Sequence, residues 1–323
     1  MIQPSFTTRV DGGGPGISGP AGASEAGLSE ADAPRTGERR YHIGLAPGEL
    51  AEYVLLVGDP GRVAKVASRF DSVELDRSSR EINTATGTYR GMRLSVMSTG
   101  MGTDNVEIVL AEAMEITERP TFIRVGSSGA LQPEIALGDL IVSTGAVRLE
   151  NTTSFYVGKG YPAIAHRDVV WALEAACREL GLTYHVGLTA TASGFFAPQG
   201  RQMHRLPVRY PELAEELRRE GVANLEMESS ALFILAGLAG LRSGTVCAAY
   251  AQRTDGTFLE GVAKEAAEGR CIDAGLAGIH LLWTIDQAED GSDAHAHWSS
   301  LIGRGAGGTN RRPASSSSEE GGN

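Results

Sequence analysis

Hydrophobic and polar positions form two kinds of segment along the middle of the chain. Short apolar runs such as Tyr53–Val57 end in glycine-rich turns, which is typical of buried strands. Segments such as Asp168–Leu180 place apolar residues at helical spacing, and this one ends at Gly181. The predicted strands are 53–57, 94–97, 121–125, 139–147, 184–191 and 244–252, and the predicted helices are 62–70, 106–116, 168–180, 228–238 and 263–285.

The repeated order of strand, glycine-rich turn and helix predicts an α/β fold with a largely buried sheet. Ligands of such folds usually bind at the carboxyl ends of the strands, and there the chain concentrates glycine, serine, threonine and arginine. Residues 1–38 and 289–323 are instead rich in glycine, serine and proline, and such segments bury too little apolar area to offset the entropy lost on ordering. We therefore expect one folded domain at 39–288 between two disordered tails.

Composition narrows the classes of function. The formal net charge of −11 argues against a nucleic-acid-binding protein, which usually presents a basic face. No apolar run reaches the roughly 18 residues of a membrane span, and the N-terminus does not have the pattern of a secretory signal. Cys177, Cys247 and Cys271 are scattered without a CxxC pair, which favours neither a zinc site nor a disulfide framework and predicts a cytoplasmic protein.

Three segments have the composition of an anion site. Gly58–Arg62 offers backbone N–H groups and a guanidinium, Arg124–Gly129 adds a second arginine with two hydroxyls, and Ser79–Glu81 contains Arg80. Backbone donors at a helix start and arginine forks suit the geometry of phosphate. Each segment alone is also typical of a plain turn or of surface charge. Neither of the two glycine-rich segments, 58–62 and 124–129, is a Walker loop or a dinucleotide-binding glycine motif.

Glu226, Met227 and Glu228 precede an apolar helix. Acidic side chains at the start of a helix interact favourably with the helix dipole, and this is one interpretation of the two glutamates. The other is a sugar site, in which the carboxylates accept hydrogen bonds from hydroxyl groups and the methionine packs on the ribose.

The segment Phe195–Arg201 places two adjacent aromatic residues in a loop. These rings either fill the core or form a base pocket, in which Phe195 stacks on the base while Gln199 and Arg201 bind a pyrimidine edge. Arg253 ends an apolar strand, where a guanidinium is costly to bury without a partner.

Eight motifs occur in an order that resembles the bacterial uridine phosphorylases, a family of the nucleoside phosphorylase-I group. The similarity runs from about residue 41 to residue 287. The motifs are YHIGL at 41–45, GDPGR at 58–62, SRE at 79–81, STGMG at 98–102, RVGSSGA at 124–130, FFAPQGR at 195–201, EMES at 226–229 and QRT at 252–254. The resemblance implies a single-domain, three-layer α/β/α fold with a central mixed sheet. It also implies a homohexamer, a trimer of dimers with sites shared across each dimer.

The resemblance also implies a role for each matching residue. Arg124, Glu228, Gln199 and Arg201 are the expected catalytic residues. The expected phosphate ligands are Gly58, Arg62, Arg124 and Ser127, with Asp59 supporting the loop and Arg80 supplied by the neighbouring subunit. The expected ribose ligands are Glu226, Met227 and Glu228, with His42 of the neighbour on the 5′-hydroxyl. The expected base ligands are Phe195, Gln199, Arg201 and Arg253.

The implied reaction is phosphorolysis of a pyrimidine nucleoside, with uridine as the expected substrate. Phosphate attacks C1′ directly with inversion and gives free base and α-ribose 1-phosphate, so phosphate is a co-substrate and no cofactor is expected. Some relatives hold an interface potassium ion through a glutamate, a carbonyl and a serine. Here Glu81 and the Met101 carbonyl match, but Asn105 replaces the serine.

Four alternatives remain at the level of sequence. Purine phosphorylases of the group carry an aspartate near the strand end, and Asp255 lies two residues beyond Arg253. A hydrolytic nucleosidase shares the fold, but Arg62, Arg80 and Arg124 argue against it. Three arginines suit an anion such as phosphate, whereas a water molecule as nucleophile does not require them. A phosphorylase of a modified nucleoside and a non-catalytic nucleoside-binding protein are the other two.

Overall fold

The computed structural model describes residues 35, 36 and 38–289. Apart from residues 35, 36, 38 and 289, the two predicted tails lie outside the described residues. At the start of the described chain, strand β1 (Arg35–Thr36) pairs antiparallel with strand β2 (Arg39–Arg40). This short hairpin crosses the domain boundary predicted at residue 38.

Strands and helices alternate through most of the described chain. The further strands are β3 Tyr53–Val57, β4 Ser72–Ser79, β5 Ile82–Tyr89, β6 Met92–Ser98, β7 Thr121–Ala130, β8 Leu140–Leu149, β9 Ala163–Ile164, β10 Tyr184–Ala192, β11 Asn224–Glu226 and β12 Ser243–Gln252. The helices are α1 Pro60–Ala67, α2 Thr103–Met114, α3 Arg167–Glu179, α4 Leu213–Arg219, α5 Ser229–Leu238 and α6 Gly261–Glu289, and a 3₁₀ turn lies at Thr152–Phe155.

Strands β3 to β12 form one mixed sheet. Its order is β11-β10-β8-β12-β7-β3-β6-β5-β4, with β9 paired to β8. β11 also pairs with the end of β7, so β7, β12, β8, β10 and β11 close into a ring of five strands. β7 runs parallel to both β3 and β12. β3 borders its amino half, as far as Arg124, and β12 and β11 border its carboxyl end.

Helices cover both faces of this sheet. Because side chains alternate along a strand, Leu55 and Val57 of β3 pack in a core with α1, α3 and α6. Val54 and Leu56 pack on the other face, in a core with α2 and α5. The predicted three-layer α/β/α fold with a mixed central sheet is confirmed.

Every predicted strand and helix occurs in the structure, with ends shifted by a few residues. The hairpin of β4 and β5 was not predicted, because β4 reads SVELDRSS and most of its side chains are exposed, so it shows no apolar run. Helix α2 begins three residues before its predicted start. The prediction missed this first turn because its residues, TDN, are polar and show no apolar spacing. Within residues 35–36 and 38–289, no helix is both long and apolar enough to cross a membrane.

Candidate active site

Strand β7 is the element on which the candidate residues converge. Gly126 of this strand lies opposite Cys247 of β12, and Gly129 lies opposite Leu225 of β11. The end of β3 pairs with Arg124, the end of β12 pairs with Ala130, and Glu228 before α5 forms an ion pair with Arg124. This arrangement places the predicted phosphate, ribose and base residues beside one strand.

Arg124 is the buried centre of the site. Its Nε donates to Glu226 Oε2 at 3.1 Å, and its Nη2 pairs with Glu228 Oε2 at 2.5 Å. Burial lowers the pKa of Arg124, but the Glu228 and Glu226 carboxylates outweigh it and the pKa is raised. The guanidinium is therefore charged and fixed in orientation.

Glu226 is enclosed by donors from the protein itself. Its side chain has 0% exposure, and Oε1 accepts from Thr191 Oγ1 at 2.5 Å. Oε2 accepts from the backbone N–H groups of Glu228 and Ser229, both at 2.9 Å. A carboxylate surrounded in this way orients Arg124 and the start of α5, so the geometry does not support the predicted ribose contact of Glu226.

Glu228 bridges Arg124 and the loop after β6. Its Oε1 accepts from the backbone N–H of Gly102 at 2.8 Å. Burial raises the pKa of the Glu228 carboxyl, the Arg124 charge opposes this, and the Glu226 charge adds to it. Each oxygen keeps a second lone pair for a ligand. Met227 beside it is half-buried, and the ribose contacts of both residues stay predictions.

The loop between β3 and α1 approaches Arg124 closely. Asp59 caps α1 by accepting from the Gly61 N–H at 2.8 Å. A Cβ on Gly58 would lie 3.8 Å from Arg124 Nη1 and 3.4 Å from the Gly100 carbonyl oxygen. Gly58 therefore faces the guanidinium nitrogen that points away from both glutamates.

The guanidinium of Arg62 forms hydrogen bonds with acceptors of the protein itself. Its Nε donates to Glu268 Oε1 at 2.6 Å, and its Nη1 donates to the Val125 carbonyl at 3.0 Å. Lys65 shares the same glutamate. Two of the three guanidinium nitrogens thus bind protein acceptors, one joining α1 to α6 and the other joining α1 to β7. A direct phosphate contact by Arg62 stays a prediction.

The middle of β7 combines a required glycine with two serines. A Cβ on Gly126 would lie 2.8 Å from Arg124 Cζ and 2.9 Å from Cys247 Sγ, so a side chain there would displace the guanidinium. Ser127 is half-buried, which suits its predicted contact with phosphate. The Ser128 hydroxyl is buried without a hydrogen-bond partner among the described residues.

The predicted base residues come together on the loop after β10. Arg201 Nε and Nη2 donate to Gln199 Oε1 at 3.2 and 2.9 Å. The Arg201 guanidinium carbon lies 4.7 Å from the Phe195 ring centroid and 4.6 Å from that of Phe258. Phe258 was not predicted. The available signal was an aromatic residue four positions after the QRT motif.

Arg253 joins this loop to β7 and β12. Its Nη2 donates to the Gln199 carbonyl at 2.8 Å, and a Cβ on Gly129 would lie 3.2 Å from its Cδ. Burial, followed by repulsion from Arg253, lowers the pKa of Arg201. A cavity of about 530 Å³ touches Gln199 and Arg253 and extends to Pro211 and Arg218.

His42 and Arg80 line a second, smaller cleft of about 130 Å³. His42 Nδ1 lies 2.6 Å from Glu112 Oε1. The Arg80 guanidinium donates to the Tyr41 hydroxyl at 2.8 Å and lies over the Tyr41 ring. The structure thus brings together the two residues predicted to serve a neighbouring subunit.

The residues at the possible potassium site do not fit an ion at the Met101 carbonyl. Asn105 Nδ2 donates to this carbonyl oxygen at 3.2 Å, so an N–H group takes the position of a cation. A Cβ on Gly100 would lie 2.7 Å from the same nitrogen. Elsewhere in the described chain, no cluster of three His, Cys, Asp or Glu side chains is arranged to hold a metal ion.

Comparison with known families decides the relationship. Residues 52–271 match the model of the phosphorylase superfamily. The chain belongs to this superfamily. The matched range contains every candidate site residue except His42, so the superfamily assignment covers the whole arrangement around β7.

Individual members of the superfamily are similar over most of their length. The uridine phosphorylase of Thermococcus kodakarensis is 45% identical over 240 residues, which cover 73% of this chain and 86% of that protein. The guanosine phosphorylase of Halorubrum lacusprofundi is 30% identical over 228 residues, 71% of this chain and 88% of that protein.

A solved structure from Trypanosoma brucei extends the similarity to the fold. It is a nucleoside phosphorylase described as showing uridine phosphorylase activity, with a TM-score of 0.73 and 29% identity. The match covers 77% of this chain and 99% of the other.

Proposed function

We propose that the protein catalyses phosphorolysis of a pyrimidine nucleoside, with uridine as substrate, to free base and α-ribose 1-phosphate. The observation that carries the proposal is the placement of a charged Arg124, the Glu228 carboxylate and the Gln199 amide along strand β7. Relatives described as uridine phosphorylases support the choice of substrate.

Phosphate binds between the loop after β3 and the middle of β7 in this proposal. Arg124 Nη1 faces Gly58 while its other nitrogens are held by the two glutamates. The half-buried Ser127 adds a hydroxyl on the same strand. Because the guanidinium is fixed before the anion arrives, little reorganisation is needed on binding.

The reaction breaks the bond between C1′ and the base nitrogen. The electron pair of that bond passes to the base, and a phosphate oxygen forms the new bond to C1′ from the opposite face, with inversion. The base takes up the proton that phosphate loses. Glu228 accepts hydrogen bonds from the sugar hydroxyls, and the bound phosphate stabilises the positive charge that develops on the sugar.

The base side stabilises a leaving anion. Gln199 Oε1 accepts from Arg201, so its Nε2 is the end free to donate to a base carbonyl. Arg201 and Arg253 lie close enough that repulsion lowers the pKa of Arg201. A base that becomes negative relieves this repulsion, which is the electrostatic preorganisation that favours the transition state.

The purine alternative depends on Asp255 reaching the base. Its carboxylate instead accepts from the Thr257 N–H and hydroxyl at 2.9 and 2.7 Å, and so shapes an exposed turn. These bonds lower the pKa of Asp255. An ionised carboxylate held in the turn is a poor proton donor to a purine, which favours the pyrimidine reaction.

A substrate screen tests the proposal. Base release is measured from uridine, deoxyuridine, thymidine, inosine and guanosine, each with and without phosphate. We expect uridine to be cleaved fastest and only with phosphate. Equal or faster cleavage of inosine or guanosine would defeat the pyrimidine assignment, and release without phosphate would favour a hydrolytic nucleosidase. No release from any of them points to a modified nucleoside or to a binding protein.

We also propose a homohexamer in the cytoplasm, in which Arg80 and His42 complete the site of a neighbouring subunit. Support comes from their shared cleft and from the same-chain partners Tyr41 and Glu112, which hold both side chains in place. Sedimentation of the full chain tests the assembly, and a monomeric active enzyme would rule it out.

A further inference from the structure

The guanidinium of Arg201 contacts two aromatic rings from different parts of the chain. Phe195 belongs to the loop after β10, and Phe258 belongs to the segment between β12 and α6. The guanidinium carbon lies 4.7 and 4.6 Å from the two ring centroids. Both distances are within the range of favourable cation–π contact.

The backbone of its own segment fixes the position of Phe258. Phe258 forms an antiparallel bridge with Ala251, and the Leu259 N–H donates to the Tyr250 carbonyl at 2.8 Å. The Gln252 N–H donates to the Thr257 carbonyl at 3.0 Å. The ring is therefore carried by a turn anchored to the end of β12, although the side chain itself is 45% exposed.

The second ring matters because Arg201 is in an unfavourable electrostatic position. Burial and the nearby Arg253 charge both lower its pKa. The negative face of an aromatic ring attracts a guanidinium, so Phe258 offsets part of this cost. While the guanidinium contacts both rings, its Nε and Nη2 donate to Gln199 Oε1.

We propose that Phe258 is a positioning residue for the base site, acting through Arg201. It holds the guanidinium in the plane that bonds Gln199, and Gln199 in turn presents its amide N–H to the base. This inference rests on the proposed function, because it assigns Phe258 a part in the same reaction. It makes the turn after β12 a determinant of base recognition.

A double-mutant cycle tests the inference. The kcat/KM for uridine phosphorolysis is measured for the wild type, Phe258→Ala, Arg201→Met and the double variant. We expect Phe258→Ala to lower kcat/KM about fivefold in the wild type, the scale of one partly exposed cation–π contact. In the Arg201→Met background the same change has no further effect. An equal loss in both backgrounds would overturn the proposal, since Phe258 would then act independently of Arg201.

Two conservative variants separate the aromatic ring from its bulk. Phe258→Tyr keeps the ring face and retains wild-type kcat/KM, whereas Phe258→Leu keeps apolar volume and behaves like Phe258→Ala. Full activity of Phe258→Leu would contradict a cation–π role. Val262→Ala, at a side chain that is 82% exposed on α6, is the matched control and leaves kcat/KM unchanged.

A crystal structure of Phe258→Ala gives a readout that does not depend on activity. We expect the Arg201 guanidinium to leave Gln199 Oε1 in that variant, and an unchanged contact would overturn the inference. If the wild-type protein does not cleave uridine, the proposed function fails, and the crystal structure still decides whether Phe258 positions Arg201.

Discussion

The Arg124 end and the Arg201 end of the site are held by different kinds of interaction. The Arg124 end lies on strand β7 and the start of α5, where Glu226 and Glu228 are buried and hold the guanidinium. The Arg201 end lies on two loops, and its aromatic partners Phe195 and Phe258 are 45% exposed. One arginine is fixed by ion pairs in the interior and the other by ring contacts near the surface.

Under the proposed function, the Arg124 end binds phosphate and the sugar, and the Arg201 end binds the base. Charge that must be placed before the reaction begins is held most accurately by strands and helix starts. Loops vary more easily without disturbing the core, so they suit recognition of the base.

Replacing each arginine gives the sharpest contrast. Arg124→Ala removes the preorganised charge, and we expect kcat/KM to fall about 10³-fold, the upper scale for loss of one such donor group. It also leaves two buried carboxylates unpaired, which destabilises the fold by roughly 3–5 kcal/mol. Arg253→Ala at the loop end lowers kcat/KM only about tenfold, the scale of one charge-assisted hydrogen bond.

Steady-state kinetics and thermal unfolding measure these effects. Arg69→Ala is the control, because this arginine is exposed and pairs only weakly with Asp273 at 3.4 Å. Equal losses for Arg124→Ala and Arg253→Ala would remove the distinction between the two ends.

Adding one methyl group tests how rigid the strand end is. The Cβ of Gly126→Ala would lie 2.8 Å from Arg124 Cζ, and Cys247 behind it is buried. We expect kcat/KM to fall about 30-fold, since small misplacements in a site can cost up to about 10²-fold. Gly237→Ala is the control: its Cβ meets no atom within 4 Å, and alanine favours the interior of α5. Wild-type kcat/KM for Gly126→Ala would show that β7 accommodates an added methyl group without moving the Arg124 guanidinium.

Removing the charge of Glu226 gives a smaller effect than adding the methyl group at Gly126. Glu226→Gln weakens a charged hydrogen bond to Arg124, so we expect kcat/KM to fall about tenfold. It also removes a negative charge that raises the pKa of Glu228. In the proposed reaction the ionised Glu228 accepts hydrogen bonds from the sugar, so we expect the acid limb of the pH profile to move to lower pH in the variant.

The comparison of the two profiles cancels the ionisation of phosphate, which is the same for both proteins. Glu216→Gln on the exposed side of α4 is the control and leaves the acid limb in place. A shift to higher pH in Glu226→Gln would contradict the geometry. The raised pKa also sets the sign for stability: the folded state binds a proton that the unfolded chain releases, so the contribution of Glu228 to stability decreases as the pH rises from 4.5 toward its folded pKa.

Apolar runs and glycine turns predicted an α/β fold with a buried sheet and the places where its strands end, whereas the three layers and the mixed sheet were implied by the resemblance to a family. The sequence could not show that Glu226 is surrounded by Thr191 and backbone N–H groups, since these come together only through the pairing of β10 with β11. The role of Phe258 was not predicted for a similar reason. Its contact with Arg201 joins two loops 57 residues apart in the chain, and neither loop has a periodic pattern.

The closure of β11 onto β7 also bears on how the molecule avoids unwanted association. One end of the strand order returns into the sheet, so β4 is the terminal strand of the order within the described residues. A strand from another chain could therefore pair with the free edge of β4, Ser72–Ser79. Glu74, Asp76 and Arg77 occupy that strand, and charged side chains at an exposed edge oppose aggregation.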